Sequence, residues 1–420
     1  MSKYFRGRYL LVFGTFLLSL LLYIDRICIS VAKNPIAASL DLTDKQMGWV
    51  LSVFALGYAL FQTPAGILAD RFGPRNILTA VVCFWSVFTA ATGAVWNFIS
   101  LLIMRFLFGA GEAGAFPGIA RAVFSWIPLQ ERGIVTGINF SGSRFGAAFA
   151  LPFVAWMISE IGWRMTFFIL GVIGFFWAFA WFYLFRDEPL DHPYLPASEK
   201  DEILKKRQLQ QNAGKADQGL NLNRLFQSKE MWYIMGQYFS SNFTFFFCLT
   251  WLFPLLRSKY NLDLLEAGFY ASAPLLFGAL GNWFSGFLVD IIYKQGKWKL
   301  SRQIPAIVGF ILAAGGMVLI VYTDDPFLAV MSLSIAIFGA DMTLSPSWSV
   351  CVDIGKMHSG AVSGTMNMAG NIGAFITALA FPYLLDWTGS EIPFFFIGAL
   401  LNIVAVFLWL GINPEKELKI

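Results

Sequence analysis

The chain has 420 residues, 57% of them hydrophobic, 17% aromatic and only 13% charged, with a net charge of +4. A soluble domain carries roughly 25% charged residues, so this chain has too few to cover a water-exposed surface. The same figures exclude a disordered chain; four cysteines exclude a disulfide scaffold, and scattered basic residues with a small net charge exclude a nucleic-acid binder.

What remains is an all-α polytopic membrane protein, in keeping with a mean hydropathy of +0.63. At about 20 apolar residues per span, ~240 apolar residues suffice for about twelve crossings. Apolar windows and charged breaks predict helices over 9–32, 46–69, 76–96, 98–125, 133–158, 163–185, 232–256, 266–289, 303–322, 327–350, 358–384 and 391–412. Pro, Gly and charge mark their ends, as in Asp70-Arg71-Phe72-Gly73-Pro74-Arg75 and Asp324-Asp325-Pro326.

With the N-terminus inside, the inner segments hold about 21 of the 30 Lys and Arg, from Lys3, Arg6 and Arg8 to Lys416 and Lys419. The outer loops hold five: Lys33, Lys45, Arg164, Arg257 and Lys259. The positive-inside rule then predicts both termini in the cytoplasm. Ser30-Val31-Ala32 resembles a signal-peptide cleavage site, but Asp25-Arg26 interrupts the apolar run, and cleavage there would invert the charge asymmetry. Cys28, Cys83, Cys248 and Cys351 fall in or near spans and read as small apolar residues.

One long polar segment divides the chain into an N-terminal six-helix bundle (1–186), a cytoplasmic linker (187–230) and a C-terminal six-helix bundle (231–420). The linker reads as solvated, with Ser198 as the N-cap of a short surface helix. The halves form an internal repeat. Gly66-Ile67-Leu68-Ala69-Asp70-Arg71-Phe72-Gly73-Pro74-Arg75 follows span two, and Gly286-Phe287-Leu288-Val289-Asp290, then Lys294, Gly296 and Lys297, follows span eight.

The first of these loops resembles the signature of the major facilitator superfamily. Three further stretches resemble its anion:cation symporter family: Tyr23-Ile24-Asp25-Arg26, the run from Arg105 through Gly109, Gly111, Glu112 and Gly114 to Pro117, and Gly162-Trp163-Arg164. The resemblance covers essentially the whole chain. It implies twelve helices in two pseudo-symmetric bundles and a central site open alternately to either side. It also implies transport of a sugar acid or another organic anion. Matching positions imply roles for Asp25, Arg26, Arg105, Glu112 and Tyr58, and gating by Asp70, Arg71 and Arg75.

Ionisable side chains are costly in lipid and mark functional positions by default. Those within spans are Asp25, Arg26, Arg105, Glu112, Arg144 and Asp341, with Arg121 near an inner end, where it is expected to snorkel. Asp25 and Arg105 each lie ~10 Å below the outer end of their span, a level that suits an ion pair. Glu112 follows Arg105 by seven residues and shares its helix face. Helix-locking pairs are the alternative reading, weakened because buried pairs seldom repay their desolvation.

Arg offers a planar, permanently charged fork for a carboxylate. Both histidines, His192 and His358, fall in loops, so a coupling proton must ride on a carboxylate; Asp25 and Glu112 are the candidates. Candidate substrate contacts are Tyr23, Arg26, Tyr58, Arg105, Ser143, Arg144, Asp341, Ser347, Asn367 and Asn371, with Asn139, Ser141, Ser345 and Trp348 nearby. Phe243 to Phe247 reads as lipid or bundle contact.

The expectation is a monomeric, proton-coupled importer of a hexonate, hexuronate or aldarate in a bacterial inner membrane. It needs no cofactor or metal beyond a coupling ion, H⁺ or Na⁺. Its partners are the small organic anion and the lipid bilayer. Arg144 and Asp341 leave a dianion, a zwitterion or a different sugar acid open. A phosphate-ester/phosphate antiporter would favour a central Arg in span seven, where only Arg257 stands, at the outer end. The cytoplasmic segments are short for a membrane sensor, and no nucleophile–base pair suggests an enzyme.

Overall fold

The computed structural model describes residues 7–206, 222–262 and 264–418. Lys3, Arg6, Lys419 and the linker stretch 207–221 lie outside the described residues, as does the side chain of Arg257. The chain folds as helices α1 (Arg8–Val31), α2 (Lys33–Leu40), α3 (Asp44–Phe72), α4 (Pro74–Thr92), α5 (Phe98–Glu112), α6 (Ala115–Trp126) and α7 (Arg132–Leu184). Then come the linker helices α8 (Ala197–Lys206) and α9 (Leu222–Gln227). The rest is α10 (Lys229–Thr250), α11 (Leu252–Tyr260), α12 (Leu264–Lys294), α13 (Trp298–Leu319), α14 (Pro326–Met342), α15 (Leu344–Gly355), α16 (Ser359–Thr388) and α17 (Ile392–Gly411).

Nine segments of the described residues are long and apolar enough to cross a membrane, and one of these, Pro326–Thr388, has length for two crossings. The two further crossings, in the first part of α7 and in α10–α11, are less apolar because their polar side chains turn inward. Asn139, Ser141, Ser143 and Arg144 in the first, and Gln237, Ser240, Ser241 and Asn242 in the second, are all buried. The twelve crossings match the sequence expectation.

Local chemistry sets the ends. Thr43 and Asn97 form capping boxes with Gln46 and Ser100, and Asp325 accepts from Leu328 N with Pro326 at the first helical position. α7 breaks at Gly162, whose φ of 75° suits glycine. Three spans expected as single helices are each interrupted: after Glu112, at Trp251 and at Thr343. Pro117, Pro254 and Pro346 follow these breaks. Each lacks the N–H that the carbonyl four residues earlier would accept. Pro64, Pro274 and Pro305 leave α3, α12 and α13 continuous.

The helices group into two compact units. The first holds Met1–Leu129, Phe145–Leu220 and Gly355–Met368; the second holds Gln130–Arg144, Asn221–Ile354 and Ala369–Ile420. α7 and α16 therefore each contribute one stretch to each unit.

In the first unit, α3 and α5 meet along a glycine seam. A β-carbon at Gly57 would collide with the Phe106 carbonyl oxygen, and one at Gly109 with that of Phe54. In the second unit, Gly309 and Gly339 place α13 against α14 in the same reciprocal way.

The linker is more than a solvated tether. Ser198 lies inside α8 rather than at its N-cap, because Ala197 already begins the helix and the Pro196 carbonyl accepts from Glu199 N and Lys200 N. The buried Glu199 carboxylate accepts from Gly7 N at 2.9 Å and Arg8 N at 3.1 Å. It thus satisfies donors that α1 leaves unpaired at its start. Replacing Glu199 by Ala should lower the stability of the detergent-purified protein by about 1 kcal/mol. Lys206→Ala, which removes only an exposed i,i+4 pair with Glu202, should leave the melting temperature nearly unchanged.

Candidate functional site

Arg26 is the centre of the first unit's charged cluster. Its Nε donates to Glu112 Oε2 at 2.6 Å, joining α1 to the last residue of α5. Its guanidinium carbon lies 4.3 Å from the ring centroid of Tyr58, 5.1 Å from Tyr23 and 5.2 Å from Phe54. Three rings therefore cover a cation that one carboxylate neutralises. The pair is incomplete: Arg26 Nη2 and Glu112 Oε1 are buried without hydrogen-bond partners.

Arg105 lies deeper in aromatic surroundings, 4.5 Å from the Phe108 centroid and 5.2 Å from that of Phe54. It is 2% exposed, and its Nε has no hydrogen-bond partner. The expected Asp25–Arg105 ion pair does not form among the described residues: the guanidinium that meets an acid is Arg26, and the acid is Glu112. Equal depth on two helices does not fix the facing of either side chain. Asp25 is buried, within electrostatic reach of Glu112 and Arg105. Asn367, on the first-unit stretch of α16, donates to Tyr58 OH at 3.5 Å. Two residues earlier on that stretch, Thr365 and Thr63 share a 3.1 Å hydroxyl contact.

The second unit has its own pair. Arg144 Nε and Nη2 donate to Asp341 Oδ2 and Oδ1 at 2.7 and 2.6 Å. The guanidinium carbon lies 3.7 Å from the Phe245 ring centroid. Asn282 Nδ2 donates to Asp341 Oδ2 at 3.3 Å. In the Phe243–Phe247 run, Phe243, Phe245 and Phe247 all belong to the second unit's core, and Phe245 in addition supports a cation.

Other expected contacts are taken up within the protein, by their own chain stretch or by α10. Ser143 donates to Phe140 O at 2.6 Å, and Ser347 to Thr343 O at 2.6 Å and Gln237 Oε1 at 3.1 Å. Trp348 donates to Tyr238 OH at 3.0 Å. Asn371 is buried in the second unit.

At the linker side the repeated acids do matching work. Asp70 accepts from Gly360 N and Ala361 N at 2.9 and 2.8 Å, at the start of α16. Asp290 accepts from Gly133 N and Ile134 N at 3.0 and 2.9 Å, at the start of α7. A carboxylate at a helix N-terminus satisfies orphan donors and meets the positive end of the dipole.

Arg121 does not snorkel. It is buried, 3.8 Å from Asp70 and 2.6 Å from Ser125 Oγ. Arg75 turns to Phe182 O at 2.8 Å, while its backbone N–H donates to Asp187 at 2.7 Å. Burial raises the Asp187 carboxyl above its ordinary range, against that backbone hydrogen bond. Arg71 is exposed and lies over Phe72.

Asp353 accepts from Arg132 at 2.7 Å and Arg302 at 2.9 Å, a buried trio that sequence reasoning missed. Arg164, counted as an outer-loop cation, donates to Gly93 O and Val95 O and so ties the start of span six to the end of span three. An apolar cavity of about 160 Å³, lined by residues including Leu11, Trp177 and Trp181, is separate from both charged pairs.

The family model for the Major Facilitator Superfamily matches residues 15–378. The chain belongs to this superfamily. Members similar in sequence are transporters of organic acids. "Probable sulfoacetate transporter SauU" of Cupriavidus necator is 34% identical, with 99% of this chain and 96% of that protein covered. "Probable galactarate/D-glucarate transporter GarP" of Escherichia coli is 32% identical, with 98% and 96% covered.

In fold, the chain is similar to the proton:xylose symporter XylE (TM-score 0.75, 15% identity, 98% of this chain and 97% of that one). It is similar also to the human organic anion transporter MFSD10 (TM-score 0.74, 15% identity, 96% and 99%). The superfamily fold is thus held here by glycine seams, and these are open to test. Gly109→Ala should lower the melting temperature, by about 1–3 kcal/mol of overpacking, because it pushes α5 off α3 and spreads the Arg26 cluster. Gly315→Ala, in α13 with nothing within 4 Å of its new β-carbon, should leave the melting temperature equal or higher.

Proposed function

We propose that the chain is a secondary active carrier that brings a sugar acid, or a related small organic acid, across the cytoplasmic membrane with protons by alternating access. The observation that carries this reading is the Arg26–Glu112 pair, a guanidinium on three aromatic rings whose partner carboxylate retains one unpartnered oxygen. A proton on Glu112 removes the charge that neutralises Arg26. The freed fork then takes the substrate carboxylate, which offers the same bidentate geometry. Asp25 lies within reach of the same charges and serves as a second proton carrier. Arg105 adds a positive field, and Tyr23, Tyr58 and Asn367 supply groups for substrate hydroxyls.

The gate belongs to the linker side. Asp70 holds the first turn of α16 and Asp290 the first turn of α7, and access from that side requires these contacts to open. Arg71 and Arg75 flank Asp70, with Arg75 fixing the turn that leads into α4. The charge asymmetry of the loops supports cytoplasmic termini. The carrier acts as a monomer, and its relatives' organic-acid substrates support the substrate class.

Glu112→Gln fixes the neutral form of the proposed coupling acid. In proteoliposomes, proton-driven accumulation of the transported acid should fall at least tenfold while counterflow persists. Undiminished accumulation would remove Glu112 from the coupling role.

A further inference from the structure

We propose that Gln62 is a positioning residue for the coupling acid: its side-chain amide receives the carboxyl of Glu112 once that carboxyl has taken a proton and left Arg26. The inference rests on the carrier reading above and adds to it the resting place of the neutral acid.

Gln62 lies in α3, within the span Trp49–Phe72, and is fully buried, yet neither its Nε2 nor its Oε1 has a hydrogen-bond partner. Its neighbours are engaged elsewhere, Tyr58 with Asn367 and Thr63 with Thr365. An amide left unsatisfied at membrane depth is destabilising, which points to a partner that arrives in another state of the transport cycle. Glu112 carries the matching vacancy, since its Oε1 is also buried without a partner.

The level of Gln62 follows from backbone contacts. A β-carbon at Gly109 would lie 3.0 Å from Tyr58 N, and one at Gly114 would lie 3.3 Å from the Ala65 β-carbon. α3 therefore runs parallel to α5 and its continuation into α6, and Gln62, between Tyr58 and Ala65, is level with Glu112, between Gly109 and Gly114. The facing of Gln62 follows from Tyr58. Gln62 comes four residues later and shares that helix face. Tyr58 lies 4.3 Å from the Arg26 guanidinium carbon, and Arg26 holds Glu112 at 2.6 Å. The glycine seam puts α3 and α5 in backbone contact, the near end of the ~8–10 Å that separates packed helix axes, a gap that two long side chains span.

The two groups are fully complementary only when Glu112 is neutral. A protonated carboxyl has one O–H donor beside a carbonyl acceptor, and a primary amide has an acceptor beside its donors. Glu112 O–H donating to Gln62 Oε1, with Gln62 Nε2 donating to the Glu112 carbonyl oxygen, closes a ring that satisfies all four groups. The ionised carboxylate offers no donor to Gln62 Oε1, and Arg26 Nε holds it instead. The proton that enters stays on Glu112, and the substrate carboxylate replaces the negative charge beside Arg26. The charged and titratable side chains around Glu112 are Arg26 and Asp25 from α1, Tyr58 from α3 and Arg105 from its own helix.

The test uses the full chain in detergent and reads dissociation constants for galactarate and sulfoacetate from ligand-dependent melting shifts across a pH series. Gln62→Leu removes the receiving amide, so Glu112 holds its proton less tightly. Binding should weaken about tenfold near pH 8, the equivalent of about one pH unit. The gap should close as pH falls, because Glu112 is then protonated in both proteins. In a Glu112→Gln background, where no proton is taken up, Gln62→Leu should open no pH-dependent gap. Gln62→Met, closer to glutamine in shape, carries the same expectations should the leucine variant fail to fold. A gap that is absent, that is equal at every pH, or that keeps its pH dependence with Glu112→Gln overturns the proposal and leaves the carrier reading intact. A wild type that binds neither acid, or binds without dependence on pH, overturns both.

Discussion

A guanidinium buried at membrane depth needs a counter-charge, because the bilayer offers neither water nor ions to neutralise it. The contact between Arg26 and Glu112 meets that need in the first unit, and much of the local architecture serves it. The α3–α5 glycine seam brings Phe54 and Tyr58 under the cation and sets Glu112 at the end of its helix. The break after Glu112 ends the helix at that residue. Such a pair contributes little net stability, since desolvation consumes most of the Coulomb gain. In the proposed carrier its use lies in exchange: the fork changes one carboxylate for another once the first is neutralised.

The same economy recurs in the second unit and at the linker side. Arg144 and Asp341 form the tighter fork, on one aromatic ring. Asp70 and Asp290 spend their charge on backbone N–H groups at two helix starts, contacts that are specific in geometry and modest in energy. Modest contacts suit the proposed cycle, in which these segments part and re-form. The stiffer arrangement is Asp353, which accepts from Arg132, Arg302 and Trp298, while the Glu199 cap on α1 uses two backbone donors as Asp70 and Asp290 do.

Much of the fold was legible from hydropathy and charge, because a span is announced by about 20 apolar residues and loops by Pro, Gly and Lys or Arg. Gly162, Asp325 and Pro326 marked helix ends where the structure has them. The interruptions in spans four, seven and ten were not legible. Pro64, Pro274 and Pro305 sit in unbroken helices, so the effect of Pro117, Pro254 and Pro346 depends on the packing around each. The candidate charges were legible individually, being anomalous in an apolar chain. Their pairing was not: Asp25 and Arg105 share a depth, but facing is decided by which helices approach, and that depends on Gly57 and Gly109. Phe245 was hidden in a phenylalanine-rich run, and Glu199 in a linker whose polarity resembles any solvated loop.

The central claim is that an organic acid takes the place of Glu112 on Arg26 as Glu112 takes up a proton. Calorimetric titration of the purified chain with a bound acid, repeated in two buffers of different ionisation enthalpy, counts protons taken up per acid bound. Wild type should take up protons on binding, and Glu112→Gln should take up about one fewer. Binding with no proton uptake by wild type, or an equal uptake in both proteins, would contradict the exchange.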